Sequence, residues 1–435
     1  MFCRIFHRLG RWRYVLLAMF VIIFCYELRS ALMDDINGTT ERLRTSWQDP
    51  HVFRESLNEV KAPNSDNRHW IGLKRFERIV KNVSESECKP IRNIMFLKVH
   101  RCASSMISSV FLRYARKHNL NVALPPHDFG HIGWPQPIEK RHVFLHKEIN
   151  EANLDLNIIA HHTTYKRNTV RSMMPNGTRL VAIIRQPLAQ LRSSLNFFRV
   201  ASYLGRTNQE AMSEFLNDAE HFESRMDFVF NGTAYGSRSI TKNFMSMEFG
   251  LHEENLEHVS EIAAFIKEIQ KDFHLVLIKE YLYESLVLLR RVLCWDLGDL
   301  LFIFLNRPDY KIESNGYFSL VKKHKAWSRV DYALYEHFNK TLWEKIAGED
   351  ASFKTEVELL IDMNERVNRL CHIGRDGSFI HVRESQWSKA FTFSRESCQD
   401  LGRKPELWTP LLKTQLKEKL QTLSLKNDSP VSSLQ

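Results

Sequence analysis

Residues Ile94–Tyr114, which read IMFLKVHRCASSMISSVFLRY, decide the fold that this sequence predicts. The segment begins with four apolar residues, a pattern typical of a strand that is buried on both faces of a parallel sheet. The apolar run ends at Lys98, a few small and polar residues follow, and apolar residues then recur at helical spacing from Met106 onward. We therefore predict a strand, a tight loop and a helix.

The loop between this strand and helix is a candidate anion-binding site. The unpaired amides at a helix N-terminus and the positive end of the helix dipole point toward the same place. Lys98 and Arg101 add positive charge, and Ser104 and Ser105 add hydroxyl donors. Taken alone, these residues fit an ordinary strand-to-helix turn equally well. No glycine occurs in the segment, so it is not a Walker A loop, and a nucleotide-dependent kinase is disfavoured.

Four more short apolar runs predict strands that alternate with helices along the chain. They are Val122–Leu124, Asn157–Ala160, Leu180–Ile184 and His274–Ile278. This alternation is typical of an α/β fold with a parallel sheet flanked by helices. Ligands of such folds bind outside the carboxyl ends of the strands. Residues that directly follow the runs are therefore candidate site residues.

Two of these strand ends carry side chains suited to chemistry. His161 and His162 follow the third run, and an imidazole can take a proton from a sugar hydroxyl near neutral pH, although a histidine pair is more often structural. Arg185 ends the fourth run, and Pro187 then opens a helix, where proline is tolerated. Ser193 lies eight residues after Arg185. A guanidinium and a hydroxyl are able to form charge-assisted hydrogen bonds to an anion, but an Arg-x-Pro pattern taken alone is a weak signal.

The segment from Pro125 to Pro137 contains too many prolines and glycines for regular structure. Two interpretations remain open. The segment either lines an acceptor crevice, with Trp134 as a platform on which a sugar stacks, or is a structural loop.

The N-terminus indicates the compartment. Four arginines precede an apolar run from Tyr14 to Tyr26, and we interpret residues 14–28 as an uncleaved signal anchor with the arginines in the cytosol. A cleaved signal peptide is the alternative, but no clear small-residue cleavage site follows. Either interpretation places the rest of the chain in the secretory lumen. The net charge of +10 then points to anionic small molecules or membranes rather than to nucleic acid.

The predicted organisation has five parts. They are a cytosolic tail at 1–13, a transmembrane signal anchor at 14–28, a luminal stem at 29–88, a catalytic domain at 89–420 and a flexible tail at 421–435. The stem is polar and lacks a sustained apolar period, apart from a predicted helix near Trp70–Val83. Six glycosylation sequons agree with a luminal location. Their asparagines are Asn37, Asn82, Asn176, Asn231, Asn339 and Asn427.

Five of the seven cysteines lie in the predicted luminal part, where disulfides are permitted. The odd number leaves at least one of them unpaired or in an intermolecular bond. The sequence contains no Cys-x-x-Cys pair, and we predict no structural metal.

The first loop resembles the 5′-phosphosulfate loop of Golgi galactose 3-O-sulfotransferases, a family that includes galactosylceramide sulfotransferase. The family segment C-x-P-x-R-N-I-V-F-L-K-T-H-K-T-A-S-S-T is similar to residues 88–106, CKPIRNIMFLKVHRCASSM. Val99, Cys102 and Met106 replace threonines of the family, and Arg101 replaces a lysine. Residues 275–295 are similar to a second family run, L-x-L-L-Q-E-Y-F-D-E-S-L-V-L-L-x-x-x-L-C-W. The resemblance covers roughly residues 88–400.

The resemblance implies a sulfotransferase fold with a P-loop-like parallel sheet. It implies transfer of sulfate from 3′-phosphoadenosine 5′-phosphosulfate, without a metal, to the 3-hydroxyl of a terminal β-galactose on a glycolipid or glycoprotein. It also implies a single-pass type II protein of the Golgi membrane whose catalytic domain is luminal. A catalytically inactive luminal glycan-binding protein on the same fold is the alternative, and the arginine at position 101 favours it.

The resemblance also implies roles for individual residues. His162 aligns with a family histidine and is the expected general base, and Arg101 stands at the position of the catalytic lysine. The 5′-phosphosulfate would be held by Lys98 and the loop amides of Ala103, Ser104 and Ser105, and the 3′-phosphate by Arg185 and Ser193. Gln186 stands where the family usually has aspartate. Cys102, which replaces a threonine, is the expected free cysteine.

Overall fold

The computed structural model describes residues 88–127, 130–201, 208–230, 239–251, 258–304 and 317–427. The predicted cytosolic tail, the anchor, nearly all of the stem and the helix near Trp70–Val83 lie outside these residues. The sequons at Asn37, Asn82 and Asn231 also lie outside them. Among the helices that are described, none is long and apolar enough to cross a membrane.

A five-stranded parallel sheet forms the centre of the described chain. Its strands are β1 (Ile94–Leu97), β2 (Val122–Ala123), β3 (Ile158–Ile159), β4 (Arg179–Ile184) and β5 (Leu275–Ile278). The spatial order is β2-β3-β1-β4-β5, so β1 lies between β3 and β4. All four residues of β1 are fully buried, as expected of a strand covered on both faces. The predicted α/β class and all five predicted strands are confirmed, with no strand end displaced by more than one residue.

Helices flank the sheet. The described helices are α1 (Ser104–Lys117), α2 (His146–Glu151), α3 (Arg167–Met173), α4 (Pro187–Phe197), α5 (Asn208–Asn217), α6 (Ala219–Phe230), α7 (Phe244–Glu248), α8 (Val259–Asp272), α9 (Leu282–Leu293), α10 (Tyr317–Trp327), α11 (Arg329–Ala347), α12 (Phe353–Ile373), α13 (Cys398–Gly402) and α14 (Pro405–Asn427). Short 3₁₀ segments occur at Lys140–His142, Lys279–Tyr281 and Leu297–Leu300. A small antiparallel hairpin, β6 (Phe379–Val382) and β7 (Phe391–Ser394), lies between α12 and α13 in the sequence.

Two disulfides connect distant parts of this chain. Cys88 pairs with Cys294, which joins the start of the described chain to the end of α9, and Cys371 pairs with Cys398, which joins α12 to α13. Cys102 is buried and free, which confirms the prediction made for it.

The last helix, α14, differs from the prediction. It continues to Asn427, so residues 421–427 are helical where the sequence predicted a flexible tail. The helix contacts α1 and buries Trp408, Leu412 and Leu416 in the main hydrophobic core. Residues 421–425 are mostly exposed, so hydrophobic periodicity gave no signal for this last part of the helix.

Candidate active site

The loop after β1 follows the central strand of the sheet and has a constrained backbone. Arg101 and Ala103 have φ angles of 62° and 61°, in the left-handed region that residues other than glycine seldom adopt. Such strain costs roughly 1–3 kcal/mol per residue and is concentrated at functional sites. Ser104 Oγ closes the loop by donating to Val99 O at 2.5 Å. The Ser104 hydroxyl is thus engaged within the loop, contrary to its predicted role as a ligand donor, whereas Ser105 is exposed in the first turn of α1.

Lys98 directly follows β1 and is fully buried. No described residue hydrogen-bonds its Nζ atom, and Glu406 Oε1 lies 3.7 Å away. Burial lowers the pKa of Lys98 to about 8, and the carboxylates of Glu406 and Glu248 offset this effect in part. A buried ammonium group without hydrogen bonds is costly. The surroundings of Lys98 therefore favour binding of an additional anion.

Arg101, Arg185 and Ser193 converge at the carboxyl ends of β1 and β4. Arg101 Nε donates to Ser193 Oγ at 3.1 Å, and Arg185 Nη1 donates to Arg101 O at 3.2 Å. The Arg101 guanidinium also lies over the Phe197 ring, 4.2 Å from its centroid. The Nε atom of Arg185 is buried and has no hydrogen bond within the part of the chain that is described. Arg101 thus contacts Ser193 through its guanidinium and Arg185 through its carbonyl oxygen.

The turn after β4 is supported by two residues to which the sequence assigned no role. Gln186 caps α4, because its side-chain oxygen accepts from Ala189 N at 2.7 Å. Both carboxylate oxygens of Glu280, which follows β5, lie 3.2 Å from Gln186 N. Tyr335 Oη also donates to Glu280, at 3.4 Å. The carboxylate at this turn therefore comes from the neighbouring strand, not from position 186.

His162 follows β3 and has the geometry of a proton acceptor. Its Nδ1 lies 2.7 Å from Lys98 O, and because a carbonyl can only accept, this nitrogen donates. No described residue hydrogen-bonds Nε2, and the side chain is 12% exposed. Burial first, and then the electrostatic effects of His100 and Lys98, hold the pKa of His162 well below its usual value. The imidazole is therefore neutral, with Nε2 as its acceptor.

His161 occupies a different environment. It is fully buried, and its Nε2 lies 3.1 Å from Thr409 Oγ1. Burial is the main cause that lowers the pKa of His161 to about 3. His161 is thus a core residue, whereas His162 is partly exposed and lies beside Lys98.

Glu248 is a site residue that the sequence analysis missed. It ends α7, is buried, accepts from His100 N at 2.6 Å and forms a short hydrogen bond with His100 Nδ1. The ring of His100 stacks on His162 with centroids 3.6 Å apart. Asp331 on α11 accepts from Met245 N at 3.1 Å and from Ser246 N at 2.7 Å, and so caps α7. The only signal in the sequence was one carboxylate in the otherwise uncharged segment FMSME.

His100, His162 and Glu248 also have the spacing of a metal site, because their ligand atoms all lie within 4.8 Å of one another. No local spacing in the sequence indicates this group, because its three members are far apart along the chain. However, His100 Nδ1 is engaged by Glu248 and His162 Nδ1 by Lys98 O. The buried ammonium of Lys98 also opposes a second cation. The contacts fit a hydrogen-bonded acid–base cluster better than a metal centre.

Trp134 does not form the platform that one interpretation of the proline-rich segment predicted. The residue is 5% exposed, and its ring lies 4.6 Å from His100 and 5.4 Å from His131 by centroid. Trp134 packs against the rings of His100 and His131. The interpretation of the proline-rich segment as a structural loop is therefore the better one.

Two sequons differ in their surroundings. Asn176 lies in an exposed turn, as a glycosylation acceptor requires. Asn339 lies inside α11 with its Oδ1 atom buried, which disfavours a glycan there. Asn427 is the last residue of α14.

Comparison with known proteins identifies relatives along most of the chain. The sequence model of a family described as galactose-3-O-sulfotransferase matches residues 14–386. Human galactose-3-O-sulfotransferase 2 is 32% identical over 289 residues, which are 66% of this chain and 70% of that protein. Mouse galactosylceramide sulfotransferase is 30% identical over 300 residues, which are 67% of this chain and 66% of that protein. No solved structure was found to match. The family match begins well before residue 88 and ends at residue 386, short of the limit near residue 400 that the resemblance suggested.

Proposed function

This chain belongs to the galactose-3-O-sulfotransferase family, and we propose that it transfers a sulfuryl group from 3′-phosphoadenosine 5′-phosphosulfate to the 3-hydroxyl of a terminal β-galactose. The acceptor would be a glycolipid or a glycoprotein. The observation that carries the proposal is a pair of buried, unsatisfied cationic atoms, Lys98 Nζ and Arg185 Nε. They follow the adjacent strands β1 and β4, and the donor has two anionic groups to satisfy them.

The donor-binding roles follow from this arrangement. Lys98 and the loop amides from Ala103 to Ser105 would hold the 5′-phosphosulfate, because the first amides of α1 have no partner within the helix. Arg185 and Ser193 would hold the 3′-phosphate through charge-assisted hydrogen bonds. Arg101 contacts both Ser193 and Arg185, so it connects the two parts of the site.

His162 would act as the general base. Its Nε2 would take the proton of the galactose 3-hydroxyl as the hydroxyl oxygen bonds to sulfur. The bond between sulfur and the bridging oxygen breaks, and the electron pair leaves with the phosphate of 3′-phosphoadenosine 5′-phosphate. Glu248 Oε1 lies 4.0 Å from His162 Nδ1 and would stabilise the imidazolium that forms. Lys98 and Arg101 would stabilise the charge on the leaving phosphate.

We also propose that the protein is a single-pass type II protein of the Golgi membrane with a luminal catalytic domain. The arginines before the predicted anchor at 14–28 support this orientation. The two disulfides support an oxidising compartment. Protection of a C-terminal epitope from protease in intact Golgi vesicles would test the proposal, and cleavage of the epitope would contradict it.

The proposed function is tested by sulfate transfer from labelled donor to galactosylceramide and to N-acetyllactosamine, measured side by side. The product 3′-phosphoadenosine 5′-phosphate should raise the Tm of the protein, and ATP should not. A protein that binds this product but transfers sulfate to no galactoside would instead be a glycan-binding protein on the same fold.

Replacement of Arg185 with alanine should weaken binding of 3′-phosphoadenosine 5′-phosphate by roughly 10- to 100-fold. A hydrogen bond to a charged group contributes about 1.5–3 kcal/mol, and the buried Arg185 Nε has no other partner among the described residues. Isothermal titration calorimetry measures the effect. Arg171→Ala is the matched control, because Arg171 is largely exposed and pairs with Asp272. Unchanged affinity in Arg185→Ala would remove this residue from the donor site.

Affinity for 3′-phosphoadenosine 5′-phosphate should fall as the pH rises through about 8, the lowered pKa of Lys98. Below this pH the ammonium group is charged and attracts the phosphate, and above it the group becomes neutral. The dissociation constant should therefore increase by up to about tenfold per pH unit above the pKa. Calorimetry at several pH values measures the profile. Constant affinity between pH 7 and pH 10 would show that Lys98 does not bind the phosphate.

A further inference from the structure

We propose that Glu406, at the start of α14, is an internal counter-ion of Lys98 that the phosphosulfate group of the donor replaces. The C-terminal helix would thereby set the affinity of the site for its donor. This inference rests on the proposed function, because it takes Lys98 to be a donor-binding residue.

The contact between Lys98 and Glu406 is an ion pair without a hydrogen bond. Their charged atoms lie 3.7 Å apart, whereas charge-assisted hydrogen bonds are about 2.7–2.9 Å long. Glu406 therefore offsets the charge of the buried ammonium without satisfying its donors. A phosphosulfate group has several oxygens that can approach more closely and accept these hydrogen bonds.

Glu406 is also able to move away when the donor binds. Its side chain is 43% exposed, whereas Lys98 is fully buried. Its carboxylate lies against Gly130, where an added Cβ would come within 3.2 Å of Oε1. A donor cannot touch the Lys98 ammonium unless a group that covers it moves. Among the described residues near Lys98, Glu406 has a carboxylate that can rotate into solvent.

The backbone at the start of α14 is held by contacts with the rest of the fold, so donor binding would move only the Glu406 side chain. Ser109 Oγ donates to Arg403 O at 2.7 Å just before the helix. Thr409 contacts His161, and Lys413 Nζ donates to Pro126 O at 2.9 Å. The helix lies beyond residue 386, where the family match ends, so that match assigns no role to Glu406.

The charges around Lys98 show why Glu406 is the residue to substitute in a test of this proposal. The other titratable groups that face Lys98 are Glu248 on α7, His100 in the loop, His131 in the proline-rich segment, and His161 and His162 after β3. Only the two carboxylates favour the ammonium form, and the effect of Glu406 is the larger. A negative Glu406 beside the site also repels an anionic donor. A neutral residue at position 406 would neither compete with the phosphosulfate for Lys98 nor repel the anionic donor.

The test compares Glu406→Gln with the parent and with Glu418→Gln, a control on the exposed face of the same helix. Calorimetry with 3′-phosphoadenosine 5′-phosphate at pH 6.5 should show about three- to tenfold tighter binding to Glu406→Gln and no change for Glu418→Gln. The fall of affinity at higher pH should begin at a lower pH in Glu406→Gln, because Lys98 loses a group that raises its pKa. Glu406→Asp keeps the charge and should lie closer to the parent.

Unchanged or weaker binding at pH 6.5 in a Glu406→Gln variant with the parental Tm would overturn this inference. An increased KM for the galactoside with unchanged affinity for 3′-phosphoadenosine 5′-phosphate would also overturn it, and would assign Glu406 to acceptor recognition. If the parent itself does not bind 3′-phosphoadenosine 5′-phosphate, the proposed function fails instead.

Discussion

Replacement of His162 with alanine is expected to lower kcat by about two to four orders of magnitude, the usual contribution of a general base. Affinity for 3′-phosphoadenosine 5′-phosphate should change little, because the imidazole acts on the acceptor hydroxyl. Nδ1 donates to Lys98 O, which leaves Nε2 as the proton acceptor. Steady-state kinetics with labelled donor, together with calorimetry, separate the two effects.

Two variants serve as controls for this result. His162→Asn retains an N–H group that can donate to Lys98 O but has no basic nitrogen, so it should be as inactive as His162→Ala. His161→Ala should lower the Tm, because it removes a buried ring from the core, yet the folded variant should retain most of its kcat. If His161→Ala were inactive at parental stability while His162→Ala remained active, the assignment of the base would be wrong.

Replacement of Arg101 with alanine is expected to reduce kcat/KM by roughly 100-fold or more, about 3 kcal/mol, if the guanidinium acts like one oxyanion-hole donor. Sulfuryl transfer requires positive charge near the bridging oxygen more than it requires a proton, because the leaving phosphate is a weak base. Arginine supplies this charge permanently. Part of the loss should appear as weaker donor binding, because Arg101 also contacts Ser193.

Arg101→Lys should retain activity, because it keeps the positive charge. It would lose the planar contact with Phe197 and the Nε–H donated to Ser193. Phe197→Leu and Ser193→Ala measure these two losses separately in a protein that keeps the arginine. If Arg101→Ala transfers sulfate as fast as the parent, Lys98 is the cation that stabilises the leaving group.

Local sequence patterns determined the framework of the fold. A run such as Ile94–Leu97 is apolar over its whole length because both of its faces are buried, and this can be read without any knowledge of its neighbours. The same holds for the change to helical spacing after the loop. The candidate site residues Lys98, His162 and Arg185 were found because they directly follow predicted parallel strands, whose carboxyl ends share one edge of the sheet.

Only the tertiary structure decided which side chains act together. Glu248 and His100 are 148 residues apart in the sequence, and Glu406 reaches Lys98 from a helix that the sequence left partly as a flexible tail. Strand geometry alone did not separate His161 from His162, because adjacent residues after a strand face opposite sides and periodicity does not reveal which side is core. Only the family resemblance favoured His162. Hydrophobic periodicity depends on neighbours along the chain and is therefore visible in the sequence. The pairing of buried charges depends on the distances that folding creates, and these distances set the pKa of Lys98 and the orientation of His162.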